Sequence, residues 1–316
     1  MAPRPLRLAL VGQGTFFETC LPPVTPELDP VFVEFRRDAD ADRLVAELRA
    51  ARPDVVCVFR PELIPAGALH GLRALCLGFL TEPLPRDAPH EDLERRLWEF
   101  AHVDPSNFDR VVAFDPLIAP AASGRLDVWR SVPLPVGDRY FRSVRALGAR
   151  PRLLFVGRST PHRERVLMDV KHHHDLLHLA FGVDANALEQ ALAEHDVGVN
   201  VHNEAYPSFE NRVCLHLAAG HLVLSEWLSP AHGLEAGLDF IEIRGPGSLL
   251  QAVQTLERFP GVWQRVRVRG RMKAEQFRAS RVWPRLVHDA LADVSAFGTM
   301  RPQPAAAVRA ARTASG

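Results

Sequence analysis

The chain has 316 residues, of which 47% are hydrophobic and 24% charged, an ordinary composition for a globular protein with room for two domains. Its 38 lysines and arginines balance its 38 aspartates and glutamates, so it lacks the basic excess typical of a nucleic-acid-binding protein. The sequence contains no run of the ~20 apolar residues that a transmembrane helix needs. It also lacks the apolar core and cleavage site of a signal peptide, and its four scattered cysteines are typical of reduced thiols, so we expect a cytoplasmic protein.

Short apolar runs alternate with helical patterns through residues 1–140. Such alternation is typical of a parallel sheet with helices on both faces, so we predict an α/β, Rossmann-like N-terminal domain over 1–140. The predicted strands are Leu6–Val11, Val31–Phe35, Val55–Phe59, Ala74–Phe79 and Arg110–Phe114, and the predicted helices are Asp40–Ala51 and Glu91–Ala101.

A glycine-rich turn, Gly12-Gln13-Gly14-Thr15, follows the first predicted strand. Glycines let a backbone approach a ligand closely, and a following helix N-terminus can hold an anion. A dinucleotide-binding fingerprint would need a third glycine where Phe17 stands, so we favour a tight turn that lines a ligand cleft over an NAD site. Gly12, Gly14 and Thr15, together with the loop over 80–108, are predicted to lie on the acceptor side of that cleft.

The alternation restarts after a proline-rich and polar crossing near 140–150, where we place the domain boundary. We predict a second doubly wound domain over 150–275, a helix over 276–292 that packs back towards the first domain, and a disordered tail over 298–316. The predicted strands are Leu153–Val156, Leu176–Ala180, Val197–Val201, Leu222–Ser225 and Phe240–Ile243, and the predicted helices include Arg163–Lys171, Asn186–Glu194, Phe209–Ala219 and Ser248–Arg258.

Two arginines follow the first strand of this second domain. The strand ends at Gly157, and Arg158 and Arg163 stand five residues apart beyond it. Arginine binds phosphate through a bidentate, permanently charged fork, so two such groups at a strand's carboxyl end fit a diphosphate. The alternative is two solvated arginines in a loop, and the spacing alone does not decide between them.

The densest polar stretch is 200–212, wedged between a predicted strand and a predicted helix. Ser208 is predicted as the N-cap of that helix, whose N-terminus would offer N–H groups to a phosphate. Glu210 either serves the site or merely favours the helix dipole, and His202 is either a site residue or a histidine satisfied at the edge of the core. The concentration of polar groups favours a site, and we predict His202 and Glu210 as its catalytic residues.

Two further clusters are given structural interpretations. His172-His173-His174 and His178 are predicted to be surface histidines beside a strand, because the strand-like run Leu176–Ala180 breaks the helical spacing of a metal site. The alternating arginines of 265–271 are predicted to lie on solvated helix faces. The sequence therefore predicts neither a metal site nor nucleic-acid binding.

Residues 132–292 resemble the group-one (family 4-like) glycosyltransferases of GT-B fold, most closely the branch that includes the CgeB-like spore-maturation proteins. That family has a strand ending in Val-Gly-Arg with a second basic residue five positions on, as at Arg158 and Arg163. It then has an Asn-x-Arg-like element and a small-small-Gly turn, matched here by Ser208-Phe-Glu-Asn-Arg212 and Ala218-Ala219-Gly220. The resemblance implies two Rossmann-like domains facing a cleft, with C-terminal helices crossing back.

One departure from the family concerns the donor ribose. In retaining members a Glu-(seven residues)-Glu motif ends five residues before the last glycine of the small-small-Gly turn, and the second glutamate holds the ribose. Here those two positions are Pro207 and Leu215. Glu204, Glu210 or Glu226 could substitute, although none of them matches by position.

The resemblance implies a hexosyltransferase-like enzyme that moves a sugar from a nucleotide-diphosphate sugar to an acceptor glycan, lipid or small molecule, without a metal or other cofactor. Arg158 and Arg163 would clamp the donor diphosphate, and retention of the anomeric configuration is implied by the resemblance alone. Two alternatives stay open: a non-catalytic sugar-nucleotide-binding protein on a degenerate GT-B fold, and a nucleotide-sugar epimerase. The predicted donor-binding residues are Arg158, Arg163, Asn203, Tyr206, Ser208, Phe209, Asn211 and Arg212.

Overall fold

The computed structural model describes residues 4–124, 126–148, 150–180, 183–299 and 301. The chain divides into two compact units. The first unit combines the residues up to Leu84, Glu94–Pro133 and the residues from Val282 onward, and the second combines Pro85–Leu93 with Leu134–Arg281. The first unit is therefore assembled from three separate stretches of chain.

The first unit contains six parallel strands and the helices that connect them. The strands are β1 (Leu6–Gly12), β2 (Leu28–Glu34), β3 (Val55–Phe59), β4 (Leu75–Leu80), β5 (Arg110–Ala113) and β6 (Arg130–Ser131). The helices are α1 (Gly14–Phe17), α2 (Ala41–Ala51), α3 (His90–Ala101), which belongs to this unit from Glu94 onward, and α4 (Ile118–Ala122). The order across the sheet is β2-β1-β3-β4-β5-β6. Every residue of β3 and β4 is buried, as expected of strands covered on both faces.

The second unit contains a five-stranded parallel sheet in the order β11-β10-β9-β7-β8. Its strands are β7 (Leu153–Val156), β8 (Leu176–Leu179), β9 (Val197–Asn200), β10 (Leu222–Ser225) and β11 (Ile241–Glu242). Its helices are α5 (Pro161–His173), α6 (Ala185–Glu194), α7 (Arg212–Ala218), α8 (Pro246–Arg258) and α9 (Gln264–Lys273), and α10 (Ala279–Phe297) follows. The predicted α/β class, with two successive parallel sheets, is confirmed.

Local sequence explains where the helices begin. The Asp40 carboxylate accepts a hydrogen bond from the Asp42 N–H at 2.9 Å and caps α2. Thr160 caps α5 in the same way, and Pro161 occupies the first helical position, where its missing N–H costs nothing. Asp184 accepts from two N–H groups at the start of α6. None of the helices in the described part of the chain is long and apolar enough to cross a membrane.

Helix α10 completes the aromatic core of the first unit. From Val282 onward, α10 belongs to that unit, and the Trp283 ring packs edge-on against Phe59 at 6.1 Å and against Phe79 at 6.4 Å. Trp283 is fully buried, and its Nε1–H donates to the Cys20 carbonyl at 2.7 Å. An aromatic side chain of this size contributes substantially to a small core.

The start of the predicted tail is partly described. Arg301 donates from Nη2 to the Ala74 carbonyl at 2.6 Å, and its Nε lies 3.0 Å from the Asp109 carboxylate. Both partners belong to the first unit. Residues 302–316 of the predicted tail lie outside the described residues.

The prediction of solvated faces for the arginines of α9 is wrong at Arg267. This side chain is buried, and it donates to the carbonyls of Gly220 at 2.6 Å and of Arg145 at 2.7 Å. Both carbonyls lie outside helices and strands, where backbone oxygens lack regular partners, so a long charged side chain satisfies them. Its neighbour Arg269 pairs instead with the buried Asp239 at 2.8 Å.

Candidate functional site

Three neighbouring strands of the second unit end in polar residues. Arg158 stands shortly after β7, His202 shortly after β9, and Glu226 directly after β10. Because parallel strands point their carboxyl ends to the same edge, the fold gathers these residues, and open α/β sheets bind ligands at that edge. We call Arg158, Arg163, Arg212 and Glu210 the arginine cluster.

Arg163 is the buried centre of this cluster. It lies in the first turn of α5, with its side chain only 3% exposed. Its Nε donates to the Val201 carbonyl at 3.1 Å, Nη1 to the Arg158 carbonyl at 3.0 Å, and Nη2 to Glu210 Oε1 at 3.1 Å. A guanidinium has five N–H groups, so these three bonds hold its position and leave donor capacity.

Arg212 lies on the other side of Glu210, at the start of α7. Its Nη2 donates to Glu210 Oε2 at 3.1 Å, and its Nη1 donates to Asn200 Oδ1 at 2.9 Å. Its Nε also donates to the Val156 carbonyl at the end of β7. Arg212 thereby ties β7 to β9, and one carboxylate is shared by two largely buried arginines.

The electrostatics of the cluster are those of a site with excess positive charge. Burial and then the charge of Arg212 lower the pKa of Arg163 to about 9, which leaves it protonated at neutral pH. Burial likewise lowers the pKa of Arg212. Burial alone would raise the pKa of Glu210, but the positive charges of Arg212 and Arg163 hold it below its ordinary value. Glu210 is the carboxylate bonded to both buried arginines, whereas Glu204 and Glu226 act on their charges without a hydrogen bond to either, so the cluster favours an anionic ligand in direct contact.

Arg158 supplies an exposed positive charge beside this buried group. Its side chain is exposed, and Nε donates to Asn203 Oδ1 at 2.9 Å. The Asn203 carbonyl in turn accepts from the Thr160 hydroxyl at 2.8 Å. The structure therefore brings together four of the residues proposed from the sequence as donor-binding, Arg158, Arg163, Asn203 and Arg212, with Arg158 on the solvent side.

Gly157 is a point of close approach between the backbone and two of the arginines. Its φ is 152°, in a region that favours glycine. A Cβ at this position would lie 2.9 Å from Nη2 of Arg212 and 3.3 Å from Nη1 of Arg163. The missing side chain is therefore a geometric requirement of the arginine cluster.

We expect Gly157→Ala to weaken nucleotide binding by about tenfold, because the added methyl group displaces two guanidinium groups. The protein should still fold, because the neighbouring loop can shift to make room for the methyl group. Isothermal titration with UDP and a thermal melt measure the two effects. Gly261→Ala is the matched control, since no atom lies within 4 Å of a Cβ there. Unchanged affinity in Gly157→Ala would show that the close approach has no bearing on binding.

His202 is fully engaged by protein groups. Its Nε2 donates to the Trp227 carbonyl at 2.8 Å, which fixes the tautomer, and its Nδ1 accepts from the Ser208 hydroxyl at 2.9 Å. Burial lowers the pKa of His202, so the ring is neutral. In this arrangement His202 joins the segments after β9 and β10.

The prediction of a helix from Phe209 with Ser208 as its N-cap is wrong. The helix α7 begins at Arg212 and has seven residues. Ser208 instead forms a parallel bridge with Leu228, and its carbonyl accepts from the Ser229 N–H at 3.2 Å. Its hydroxyl donates to His202, and α7 begins four residues further on with Asn211 at the N-cap position.

The remaining residues predicted to bind the donor lie close to Ser208 in sequence. Phe209 is buried, and its ring packs edge-on against His232 at 4.7 Å. Tyr206 and Asn211 are half-buried. Leu215, at the family's ribose-binding position, is a buried residue of α7.

A pair between His162 and Glu226 was not predicted from the sequence. His162 Nε2 lies 2.9 Å from Glu226 Oε1, and Glu226 Oε2 accepts from the His202 backbone N–H at 2.7 Å. These residues are separated by 64 positions in sequence, so a local pattern could not find them. The indication available in the sequence was that each residue stands after the carboxyl end of a predicted strand.

His178 also differs from its predicted surface role. Its Nε2 donates to the Gly157 carbonyl at 2.7 Å, and its ring packs edge-on against Phe155 at 4.9 Å. It therefore supports the Gly157 backbone from β8. Within the described residues, His, Cys, Asp and Glu side chains form no group of three that could hold a metal ion.

The residues predicted to face an acceptor lie at the carboxyl end of β1 in the first unit. The Gly14 N–H donates to Glu34 Oε2 at 2.7 Å, and Thr15 is exposed. Gly12 packs under Phe17, with a Cβ position 3.0 Å from that ring. The turn is tight, as expected. Glu34 is the last residue of β2, whereas the predicted strand Val31–Phe35 would continue one residue beyond it.

No protein-family model and no curated protein matches the chain. Several solved structures do match. HepE of Anabaena, crystallised with UDP and glucose, has a TM-score of 0.61 at 11% identity, with 91% of this chain and 100% of HepE covered. Sucrose-phosphate synthase of Thermosynechococcus elongatus has 0.57 at 11%, with 91% and 99% covered. A glycosyltransferase of Rickettsia africae has 0.52 at 9%, with 91% and 98% covered.

At these identities the comparison establishes the fold. The chain has the two-sheet α/β fold of the GT-B glycosyltransferases, as the second-half motifs predicted. Its coverage of the matched proteins is nearly complete, so the likeness extends over both units.

Proposed function

We propose that this protein is a glycosyltransferase that uses a nucleotide-diphosphate sugar as donor. The observation that carries the proposal is the arginine cluster: two buried guanidinium groups share one carboxylate behind an exposed arginine, at the carboxyl edge of a parallel sheet. A diphosphate would place additional negative charge in direct contact with these arginines. HepE, which shares the fold, was crystallised with UDP-glucose.

The reaction breaks the bond between the anomeric carbon and the diphosphate oxygen, while an acceptor hydroxyl forms a new bond to that carbon and gives its proton to the departing diphosphate. Negative charge develops on the diphosphate as its bond to carbon breaks. Fixed cations stabilise such a charge without reorganisation, so we propose that Arg158 contacts the diphosphate and that Arg163 and Arg212 add the charge behind it. Positive charge from arginine takes the part that a divalent cation plays in other transferases, and we propose a metal-independent reaction.

The predicted catalytic residues acquire a more specific role in this proposal. Glu210 is paired with both buried arginines, and both ring nitrogens of His202 are hydrogen-bonded to protein groups. We propose that both act as positioning residues, Glu210 for the guanidinium groups and His202 for the segments after β9 and β10. Retention of configuration and membership of the CgeB-like branch belong to the proposal on the strength of the motif resemblance.

Replacement of Glu210 tests its role. We expect Glu210→Gln to lower the melting temperature without ligand, because two buried guanidinium groups lose their counter-charge, at a cost of about 3–5 kcal/mol. UDP should then raise the melting temperature more than in the wild type, because phosphate replaces the lost charge. Glu194→Gln, an exposed site on α6, is the control. Unchanged stability with turnover reduced more than about 100-fold would instead identify Glu210 as a proton-transfer group.

Binding and turnover test the proposed function directly. Isothermal titration with UDP, GDP, ADP, TDP and their glucose esters, in buffer with and without EDTA, should reveal binding of at least one pair that EDTA does not change. Incubation of that donor with pooled oligosaccharide, lipid and small-molecule acceptors should release the nucleoside diphosphate. Binding of none of these nucleotides would refute the proposal. Binding without turnover on any acceptor would favour a binding protein, and interconversion of the donor sugar without an acceptor would favour an epimerase.

A further inference from the structure

The residue after Glu226 presents an exposed indole ring. Trp227 is 57% exposed, although its backbone is held by contacts at its own carbonyl and at the next residue. The Trp227 carbonyl accepts from the buried His202, and the next residue, Leu228, is buried and bridged to Ser208. The indole is therefore held on a fixed base and leaves much of its apolar surface in water, which stabilises nothing in the free protein.

Trp227 lines a surface cavity of about 440 Å³ together with Glu242 and Arg244. This volume is within the range of small-molecule sites. Glu242 is fixed by the sheet, since it pairs with Ser225 at the end of β10, and its carboxylate accepts from Arg244 Nε at 3.0 Å. The cavity thus combines one aromatic wall with a carboxylate and a guanidinium that neutralise each other.

We propose that this cavity binds a pyranose ring, with the ring's C–H face packed on the Trp227 indole and its hydroxyl groups bonded to Glu242 and Arg244. The paired charges leave no net field for an anion, whereas hydroxyl groups can donate to the carboxylate and accept from the guanidinium. The amphipathic indole suits a ligand with one apolar face and a polar rim. The inference deepens the proposed function and rests on it.

The position of the cavity agrees with this assignment. Trp227 follows β10, which is two strands from β7 and Arg158, a separation of roughly 10 Å at the usual strand spacing. Glu226, which pairs with His162 beside Arg163, lies between the cavity and the arginine cluster in sequence. The bound pyranose is therefore either the donor's sugar or a sugar of the acceptor.

Titration of Trp227→Ala distinguishes these sources. The probes are UDP, UDP-glucose and an oligosaccharide array, with the corresponding guanosine, adenosine or thymidine pair if the nucleotide panel selects one of those. We expect an unchanged Kd for the nucleoside diphosphate and a loss of about tenfold for a probe that contains a pyranose. The loss appears with the nucleotide sugar if the cavity holds the donor sugar, and on the array if it holds the acceptor. Trp227→Phe should recover part of the loss.

The matched control is Phe259→Ala, which removes another exposed aromatic ring from the second unit, at the end of α8, where 57% of the residue is exposed. It should leave every probe unchanged. Weaker binding of the nucleoside diphosphate itself in Trp227→Ala would place a nucleobase on the indole and overturn the inference, as would wild-type affinity for every pyranose probe. If the wild type binds no nucleotide, the proposed function fails, whereas nucleotide binding without a pyranose effect refutes the cavity assignment alone.

Discussion

Replacement of Arg212 by alanine is expected to abolish measurable nucleotide binding and to lower the free energy of unfolding of the protein by about 3–5 kcal/mol. The side chain makes four hydrogen bonds, to the Val156 and Val201 carbonyls, to Asn200 and to Glu210. Its loss leaves buried acceptors without partners and removes one of the two charges behind the proposed diphosphate site. UDP titration and urea denaturation measure the two losses, and the affinity should fall at least about 100-fold.

Two further variants separate binding from stability. Arg158→Ala should weaken UDP binding by about 10–100-fold, yet leave stability within about 0.5 kcal/mol, because the side chain is exposed. Arg165→Ala, an exposed position on the same helix as Arg163, should change neither quantity. Full UDP affinity in a folded Arg212→Ala protein would contradict the assignment of the arginine cluster as a phosphate site.

The second unit should lose stability steeply as the pH falls below about 6.5, the ordinary pKa of histidine. His216 and His221 are buried and bonded to each other through their Nδ1 atoms at 3.0 Å. Burial lowers the pKa of His221 to about 3 and that of His216 well below its ordinary value. The unfolded chain therefore binds more protons than the folded one, and each histidine contributes a loss of about 1.4 kcal/mol per pH unit. Stability is complete above pH 7 and falls from about 6.5 towards 3.

Urea denaturation at pH 7.5, 6.5 and 5.5 measures this slope. His221→Gln should reduce the slope of stability against pH by about one proton, because it removes one titrating group. The variant should still fold, since the glutamine amide can donate to the Leu192 carbonyl in place of His221. His172→Gln, at an exposed position near the end of α5, should leave the slope unchanged. Equal slopes in His221→Gln and the wild type would show that this histidine titrates normally in the folded protein.

The fold could be predicted from local sequence to a large extent because several of its central strands are short apolar runs. Val55–Phe59 and Leu153–Val156 were predicted with their observed bounds. The helix after β9 was predicted three residues too early, because Pro207-Ser208 has the composition of a helix start. A bridge to Leu228, which follows another strand, determined that backbone instead.

The candidate site was predictable where a polar or charged residue stands at a strand end in sequence, as at Arg158 and His202. Its internal organisation was not, because each key pairing joins residues far apart in the chain. Arg163 reaches Glu210 across 47 positions, and His162 reaches Glu226 across 64. Burial also reversed expectations, since Arg163 and Arg267 are long charged side chains that periodicity alone would place in water.

The return of α10 to the first unit has a consequence for synthesis on the ribosome. The rings of Phe59 and Phe79 emerge about 200 residues before Trp283, which covers them. At translation rates of about 5–20 residues per second, that interval is roughly 10–40 s. By the end of this interval the second unit has nearly all of its chain and can fold, while the first unit still lacks Trp283 from its core. The nascent protein is therefore expected to depend most on chaperones before its final helix emerges, and the N-terminal unit completes its folding last.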